Sequence, residues 1–252
     1  MKVYARTKTI NNITVPYNVN IASAIQGFLD MGFEVIFYKK VEDIYPLYKK
    51  GDIILDGLRQ VEYCLSKFNI TPKQINYPDV LKEYLGRNIW ENTMNNFVSD
   101  SSKWNCFIKP QKEKIFTGKV IKEHKDLIGC VGKEDFKIWC SDIIDLVFEC
   151  RGFYYYGELK DLRPYCGNWQ NIKLLDTNLI QMAVLKYANS ENKLNAISMD
   201  WGVTKSGKTI LIECNTFSSL GSYGYQSIDY AKGISAYFSQ ISETNDEGYF
   251  EY

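Results

Sequence analysis

The first hundred residues alternate between short strand-like and helix-like runs. Residues 2–6 and 33–38 carry the apolar runs of strands, and residues 22–31 between them repeat apolar positions at helical spacing. A third strand at 52–55 is followed by a helix at 58–68. Strand–helix–strand units of this length favour a small parallel sheet with helices packed on it.

A connecting segment follows this first unit. Pro78 fits the first position of a helix, so a helix is expected over residues 79–85. Residues 88–101 are polar and predict a second helix that leads into another domain. We therefore expect an N-terminal α/β domain with its linker helix at residues 1–100 and a second domain at residues 101–252.

From residue 104 the pattern changes to strands and hairpins. Apolar segments separated by charged turns predict antiparallel sheet, and the segments are NCFIKP, KIFTGKV, IGCVG, KIWC and IDLVFECRGFYYYGEL. An amphipathic helix is expected at 176–187, two strands at 196–203 and 208–214, and a final helix at 230–241. The fold class is therefore α/β in its first part and α+β, with antiparallel sheets, in its second.

Composition and charge narrow the class of protein. Apolar residues make up 45% of the chain and aromatic residues 15%, which favours a packed globular fold over disorder. The formal net charge is zero, so nucleic acid is not an expected partner. No apolar run approaches the roughly 20 residues that span a bilayer. The first ten residues lack the apolar segment of a signal peptide, so no membrane association and a cytoplasmic location are expected.

Cysteine and histidine usage restricts the metal chemistry. The seven cysteines are widely spaced and form no CxxC pair, which argues against a zinc ribbon. The single histidine, His124, lies in the charged run KEHKD. One histidine cannot build a multi-histidine metal site, and this position is a poor candidate for a catalytic triad. Any metal would therefore be a hard cation with oxygen ligands: magnesium, manganese or calcium.

A hairpin near the C-terminus carries the sharpest chemical signal. A turn centred between Ser206 and Gly207 places Asp200 opposite Glu213, with β-carbons about 5 Å apart. Asn215 lies two residues beyond Glu213 and shares its face. Facing carboxylates in an apolar sheet repel each other unless a cation lies between them. The hairpin therefore predicts a metal site formed by these two acids and the amide.

The alternative is that both acids lie on a solvent-exposed face, which is common for single acidic pairs. Asn215 and the apolar flanks of the hairpin favour the metal site. Calcium is disfavoured because no loop offers the six or more oxygens that it takes. Magnesium and manganese are left as candidates.

These residues resemble the magnesium-binding signature of ATP-grasp enzymes, an Asp and a Glu-x-Asn on adjacent antiparallel strands. Asp200, Glu213 and Asn215 match that signature, and the strand with Lys109 resembles the family's phosphate-binding lysine strand. Residues 114–120 resemble the mobile loop that covers the phosphates. The resemblance implies an ATP-grasp fold, in which a small N-terminal α/β domain precedes two α+β lobes whose antiparallel sheets enclose ATP.

Further motifs are similar to the R2K clade of that superfamily. They are Lys109-Pro110, the segment 139–142, Glu149-x-Arg151, Arg163-x-Tyr165-x-Gly167 and Glu213-x-Asn215. By this resemblance the segment 139–142 would form the hinge between the two lobes, which meets adenine in that family. The resemblance therefore implies ATP contacts for Cys140, Ser141 and Asp142, and for Glu149 just after them. The phosphate loop has less glycine and serine than that of the better-known ligases.

The same resemblance implies roles for three lysines. Lys109 would neutralise oxygens of the α- or β-phosphate, because phosphoryl transfer depends mainly on charge neutralisation and alignment. Lys114 or Lys119 would close over the γ-phosphate from the loop. The alternative for these two is an ordinary solvated surface, as is usual for charged runs.

Two arginines are candidates for binding the acceptor. Arg151 and Arg163 would hold a substrate carboxylate and the acyl-phosphate formed from it, because a guanidinium matches both groups with paired hydrogen bonds. The alternative for Arg151 is pairing with sheet neighbours such as Glu149 or Glu158.

The function expected from this set is an ATP- and magnesium-dependent ligase. It would join a small-molecule or peptide carboxylate to an amine through an acyl-phosphate. Two alternatives stay open, a phosphotransferase on the same scaffold and a nucleotide-binding regulator without turnover.

Overall fold

Three four-stranded sheets organise the described part of the chain. The computed structural model describes residues 1–72, 74–112, 115–132 and 134–250. Lys114, a predicted phosphate ligand, lies outside the described residues. The α/β class with antiparallel sheets is confirmed.

The first sheet is mostly parallel, as its strand–helix alternation predicts. Its central strand β1 (Val3–Ile10) pairs in parallel with β3 (Val35–Tyr38) and β4 (Ile53–Leu55), and antiparallel with β2 (Ile13–Pro16). The accompanying helices are α1 (Val19–Asp30), α2 (Val41–Ile44) and α3 (Leu58–Ser66). The side chain of Asn18 accepts a hydrogen bond from the Ile21 amide and so begins α1.

The second sheet is antiparallel, with strand order β5-β8-β6-β7. Its strands are β5 (Ile89–Thr93), β6 (Cys106–Pro110), β7 (Lys119–Ile121) and β8 (Lys137–Ser141). Helix α4 (Met94–Val98) follows β5. The predicted helix over residues 88–101 is therefore wrong for its first part, because pairing with β8 satisfies that backbone and overrides local preference. The helix expected after Pro78 is a 3-10 helix, Asp79–Tyr84.

The third sheet is antiparallel and carries the predicted hairpin. Its order is β10-β9-β11-β12, and its strands are β9 (Leu146–Tyr155), β10 (Glu158–Gly167), β11 (Ala196–Thr204) and β12 (Thr209–Thr216). Helix α5 (Thr177–Ala188) packs on one face of this sheet through Ile180, Val184 and Tyr187. The opposite face carries the polar side chains of the predicted hairpin site and, towards its other end, Phe153 and Ala196, which are buried in the core of the first sheet.

The last helix, α6 (Ser227–Ser242), completes the core of the first sheet and packs against α1. The domain boundary at residue 100 stays a prediction. Before it in sequence, β5 belongs to the second sheet and α4 packs with that sheet, and after it α6 packs in the core of the first sheet. None of the helices in the described ranges combines the length and apolar character that a membrane crossing requires.

The close contact between α1 and α6 depends on a glycine, Gly27, which has no side chain. A β-carbon at Gly27 would lie 1.9 Å from the Ser227 carbonyl oxygen and 2.8 Å from the Ala231 β-carbon. Both distances are well below van der Waals contact, so any side chain at this position must push the helices apart.

We expect Gly27→Ala to lower the free energy of unfolding by about 1–3 kcal/mol, despite the higher helix propensity of alanine. Urea unfolding followed by circular dichroism measures the change. Gln26→Ala, at an exposed position of the same helix, is the control and should stay within about 0.5 kcal/mol. Equal stability of Gly27→Ala and the parent would contradict the packing described.

Candidate functional site

The hairpin of β11 and β12 brings the two predicted acids together. Asp200 pairs directly with Glu213, as predicted. The predicted centre of the turn is wrong. The strand residues that pair next to the turn, such as Val203 with Thr209, are arranged symmetrically about Ser206 alone. A bulge after Asp200 places Ile212 as an extra residue in β12 and restores the expected pairing. Gly207 has a φ of +83° and closes the turn, as expected for glycine.

Charged residues form a row across the third sheet. Arg163 on β10 pairs with Arg151 on β9, Arg151 pairs with Asp200 on β11, and Asp200 pairs with Glu213 on β12. Directly paired residues of adjacent strands present their side chains on the same face. Four strands therefore place two cations and then two anions side by side.

Arg151 and Asp200 form a buried bidentate ion pair. Nε of Arg151 donates to Oδ1 of Asp200 at 2.8 Å, and Nη2 donates to Oδ2 at 2.7 Å. The Asp200 residue is 2% exposed. Nη1 of Arg151 donates to the Gly221 carbonyl at 3.3 Å. Burial disfavours the guanidinium charge, but the Asp200 carboxylate outweighs it and raises the pKa of Arg151.

A second ion pair joins the third sheet to the second. Nζ of Lys109, on β6, lies 2.5 Å from Oε2 of Glu213. The same Nζ donates to Oδ1 of Asn76 at 2.9 Å and lies 4.6 Å from the centre of the Tyr77 ring. Burial opposes both charges, but attraction between the partners prevails. It raises the pKa of Lys109 and lowers the pKa of Glu213.

The oxygen donors fit a hard divalent cation. Glu213 and Asn215 are partly exposed, and Nδ2 of Asn215 donates to Oε1 of Glu213 at 3.0 Å. Asp200 keeps carboxylate lone pairs beyond its two bonds to Arg151. The described residues hold no cluster of three or more His, Cys, Asp or Glu side chains suited to a metal, and this set offers two acids and an amide. Glu213 and Asn215 are therefore the accessible part of the predicted metal set.

Arg163, at one end of the row, and Glu149, beside the row, each have a partner of their own. Arg163 is paired with Asp161, whose Oδ2 accepts from its Nε at 2.7 Å, and its side chain is 38% exposed. Glu149 lies two residues before Arg151 on β9, and its Oε2 accepts a hydrogen bond from the Tyr165 hydroxyl at 2.9 Å. Both therefore stand on the same face as the charged row.

The predicted hinge residues lie at the end of β8. Cys140 is buried opposite Ile108, on the face of the second sheet that faces away from Lys109. Ser141 is buried, and Asp142 accepts two hydrogen bonds from Asn88 through Oδ2. Asp142 therefore ties the end of β8 to the residue before β5.

Lys119 is not brought to the site in this structure. It pairs with Ile108 on β6, and because faces alternate along a strand, it lies opposite the face of Lys109. Its Nζ donates to the Ile128 carbonyl at 3.2 Å. A phosphate-covering role for Lys119 stays a prediction.

Several contact residues were not predicted from sequence. Asn76 and Tyr77 reach Lys109 from an irregular segment whose backbone accepts a hydrogen bond from the Cys214 amide. Tyr223 lies against the Arg151 guanidinium, with 5.0 Å between the ring centre and Cζ. None of these residues belongs to a periodic element, so hydrophobic spacing offered no signal for them.

The Lys109–Glu213 ion pair should make stability depend on pH. The folded-state pKa of Glu213 is lowered, so its contribution is present above the ordinary glutamate value of about 4.3 and is lost as pH falls through the folded value. We expect the stability difference between the parent and Glu213→Gln, measured by urea unfolding, to be larger at pH 7 than at pH 3. Glu191→Gln, at an exposed position, is the control. A difference independent of pH would contradict the pairing.

Comparison with known proteins places this geometry in a family. A family model described as "ATP-grasp domain, R2K clade family 2" matches residues 84–233, which is more than half of the chain. None of the curated proteins compared with the chain matches it.

Solved structures show the same fold at low sequence identity. N5-carboxyaminoimidazole synthetase from Staphylococcus aureus, complexed with ADP, has a TM-score of 0.56 and 12% identity, over 86% of this chain and 74% of that one. D-alanine–D-alanine ligase from Bacillus anthracis, complexed with ATP, has a TM-score of 0.51 and 13% identity, over 96% and 98%. Phosphoribosylamine–glycine ligase from Thermotoga maritima has a TM-score of 0.55 and 10% identity, over 98% and 77%.

These likenesses and the family match agree with the arrangement of two antiparallel sheets around a shared charged site. The chain has the ATP-grasp fold and belongs to the R2K clade of ATP-grasp domain proteins.

Proposed function

We propose that the protein is an ATP- and magnesium-dependent ligase that joins a carboxylate to an amine through an acyl-phosphate. The observation that carries the proposal is the meeting of Lys109, from the second sheet, with the charged row of the third sheet at Glu213. Such a cluster can neutralise a triphosphate from one side and anchor a cation from the other. Two of the similar structures are named as ligases and one as a synthetase, which supports the class.

In this proposal ATP lies between the second and third sheets. Lys109 binds phosphate oxygens and supplies the positive charge that faces them. Cys140, Ser141 and Asp142 lie at the end of β8, where main-chain groups would meet adenine. Glu149 would bind the nucleotide from β9.

Glu213 and Asn215, with Asp200 behind them, are the proposed ligands of magnesium, and manganese suits the same oxygen donors. When bound, the cation would neutralise charge that develops on the phosphate oxygens. The Arg151–Asp200 pair fixes the position of Asp200, because both carboxylate oxygens are held.

The proposed reaction has two steps. A carboxylate oxygen attacks the γ-phosphorus, the bond to the β–γ bridging oxygen breaks, and ADP leaves. The amine nitrogen then attacks the acyl carbon, the carbon–oxygen bond to phosphate breaks, and phosphate leaves while the nitrogen loses a proton. Arg163 is the more accessible of the two arginines and is the proposed contact of the acid substrate, with Arg151 adding positive charge beside it.

The substrates are proposed as small-molecule or peptide acids and amines, and the location as the cytoplasm. All seven cysteines are free, and six of them are buried. Free thiols in this number suit a reducing compartment.

The first functional prediction concerns Lys109. We expect the protein with ATP, magnesium and a panel of carboxylic acids to form hydroxamates when hydroxylamine replaces the amine. Lys109→Met should lower that rate by about 100-fold or more, because a charge aligned with the phosphates is lost. Lys137→Met, at an exposed position of the same sheet, is the control. Mass spectrometry identifies the products.

Other outcomes would refute the ligase proposal. A phosphorylated acceptor that gives no hydroxamate would identify a phosphotransferase instead. Nucleotide binding without ADP release for any acid of the panel would favour a regulator without turnover.

The second functional prediction separates acid binding from nucleotide binding. Arg163→Ala should raise the KM for the acid by about 10-fold or more and leave the KM for ATP within about twofold, because a charge-assisted hydrogen bond to the carboxylate is lost. Steady-state kinetics with either substrate varied measures both values. Lys160→Ala, on the exposed part of β10, is the control. Equal changes in both KM values would place Arg163 outside the acid subsite.

A further inference from the structure

Both acids of the proposed metal set are held by cations of the protein itself. Arg151 donates a hydrogen bond to each carboxylate oxygen of Asp200, and Lys109 donates one to Oε2 of Glu213. The remaining oxygen of Glu213 accepts a hydrogen bond from Nδ2 of Asn215. Two positive and two negative side chains therefore compensate each other at this site without any added ion.

The two ion pairs differ in how readily they can be exchanged. Arg151 binds through a planar fork, donates a third hydrogen bond to Gly221, and pairs with an acid that is 2% exposed. Lys109 binds as a single charge on a flexible stem and also donates to Asn76, and the side chain of its partner Glu213 is 27% exposed. The Lys109–Glu213 pair is therefore the one that opens towards a ligand.

Lys109 and Glu213 cannot bind each other and their proposed ligands at the same time. The proposed function requires Lys109 to contact the phosphates and Glu213 to bind the metal. In this structure the two side chains contact each other instead, with 2.5 Å between Nζ and Oε2. Asn215 also presents its amide nitrogen to Glu213, whereas a cation requires its oxygen. The arrangement suits neither ligand until the ion pair separates.

We propose that Lys109 occupies the metal-binding oxygen of Glu213 in the nucleotide-free protein and that phosphate binding draws it away, so that nucleotide and divalent cation bind cooperatively. This inference rests on the proposed function, in which both ligands share the site. Each ligand separates the same ion pair, so each lowers the cost of binding the other. Linkage requires the effect to be reciprocal.

The metal side is tested without nucleotide. Binding of Mn2+ alone, followed by electron paramagnetic resonance, should be at least about 5-fold tighter in Lys109→Met than in the parent, within the usual range of coupling between sites. Lys109→Arg keeps the charge and should bind Mn2+ as weakly as the parent. Adding Glu213→Gln to Lys109→Met should remove the gain. Unchanged or weaker Mn2+ binding in Lys109→Met would overturn the inference.

The nucleotide side is tested without metal. Binding of ADP in the presence of EDTA, measured by calorimetry, should be at least about 5-fold tighter in Glu213→Gln than in the parent, because Lys109 is released. Glu191→Gln is the matched control at an exposed position. Equal or weaker ADP binding in Glu213→Gln would overturn the inference. If Lys109→Met does not fold, this ADP measurement is the deciding test.

The outcomes separate this inference from the proposed function. If the parent binds no ADP with or without Mg2+, the proposed function fails, while the Mn2+ titrations still decide whether Lys109 blocks Glu213. If ADP and Mn2+ both bind and the variants show no gain, the nucleotide site stands and the blocking role of Lys109 is wrong.

Discussion

Two carboxylates can share one face of a sheet only if nearby cations compensate their charge. Asp200 and Glu213 meet this requirement with two different partners, Arg151 from the same sheet and Lys109 from the facing one. A buried acid left without its partner would be strongly destabilising. The Lys109–Glu213 contact also joins the second sheet to the third.

The acidic pair could be predicted from sequence because it depends on local rules. A tight turn and a period of two residues determine which side chains face each other in a hairpin. The turn centres on Ser206 rather than between Ser206 and Gly207, and the bulge at Ile212 compensates for this difference at Asp200 and Glu213. Arg151, the partner of Asp200, could not be assigned in the same way, because β10 and α5 lie between β9 and β11 in the sequence. Their pairing depends on the whole sheet.

The same distinction explains the other differences between expectation and structure. Residues 89–93 were expected to be helical, but they form an edge strand because β8 supplies hydrogen-bond partners that are distant in sequence. Lys119 is predicted to close over the γ-phosphate from a loop, whereas it begins strand β7 and pairs with Ile108, which places it on the face opposite Lys109. Most elements could be predicted from periodicity, whereas the faces that meet at the site required knowledge of strand order.

The return of α6 to the first sheet has a consequence for how the chain is made. Strands β1, β3 and β4 emerge from the ribosome before α6, and the side chains that complete their core come from residues about two hundred positions later. The early unit must therefore stay incomplete, with apolar surface uncovered, while the two lobes are synthesised. Such long-range closure slows folding and leaves apolar surface exposed until α6 is made.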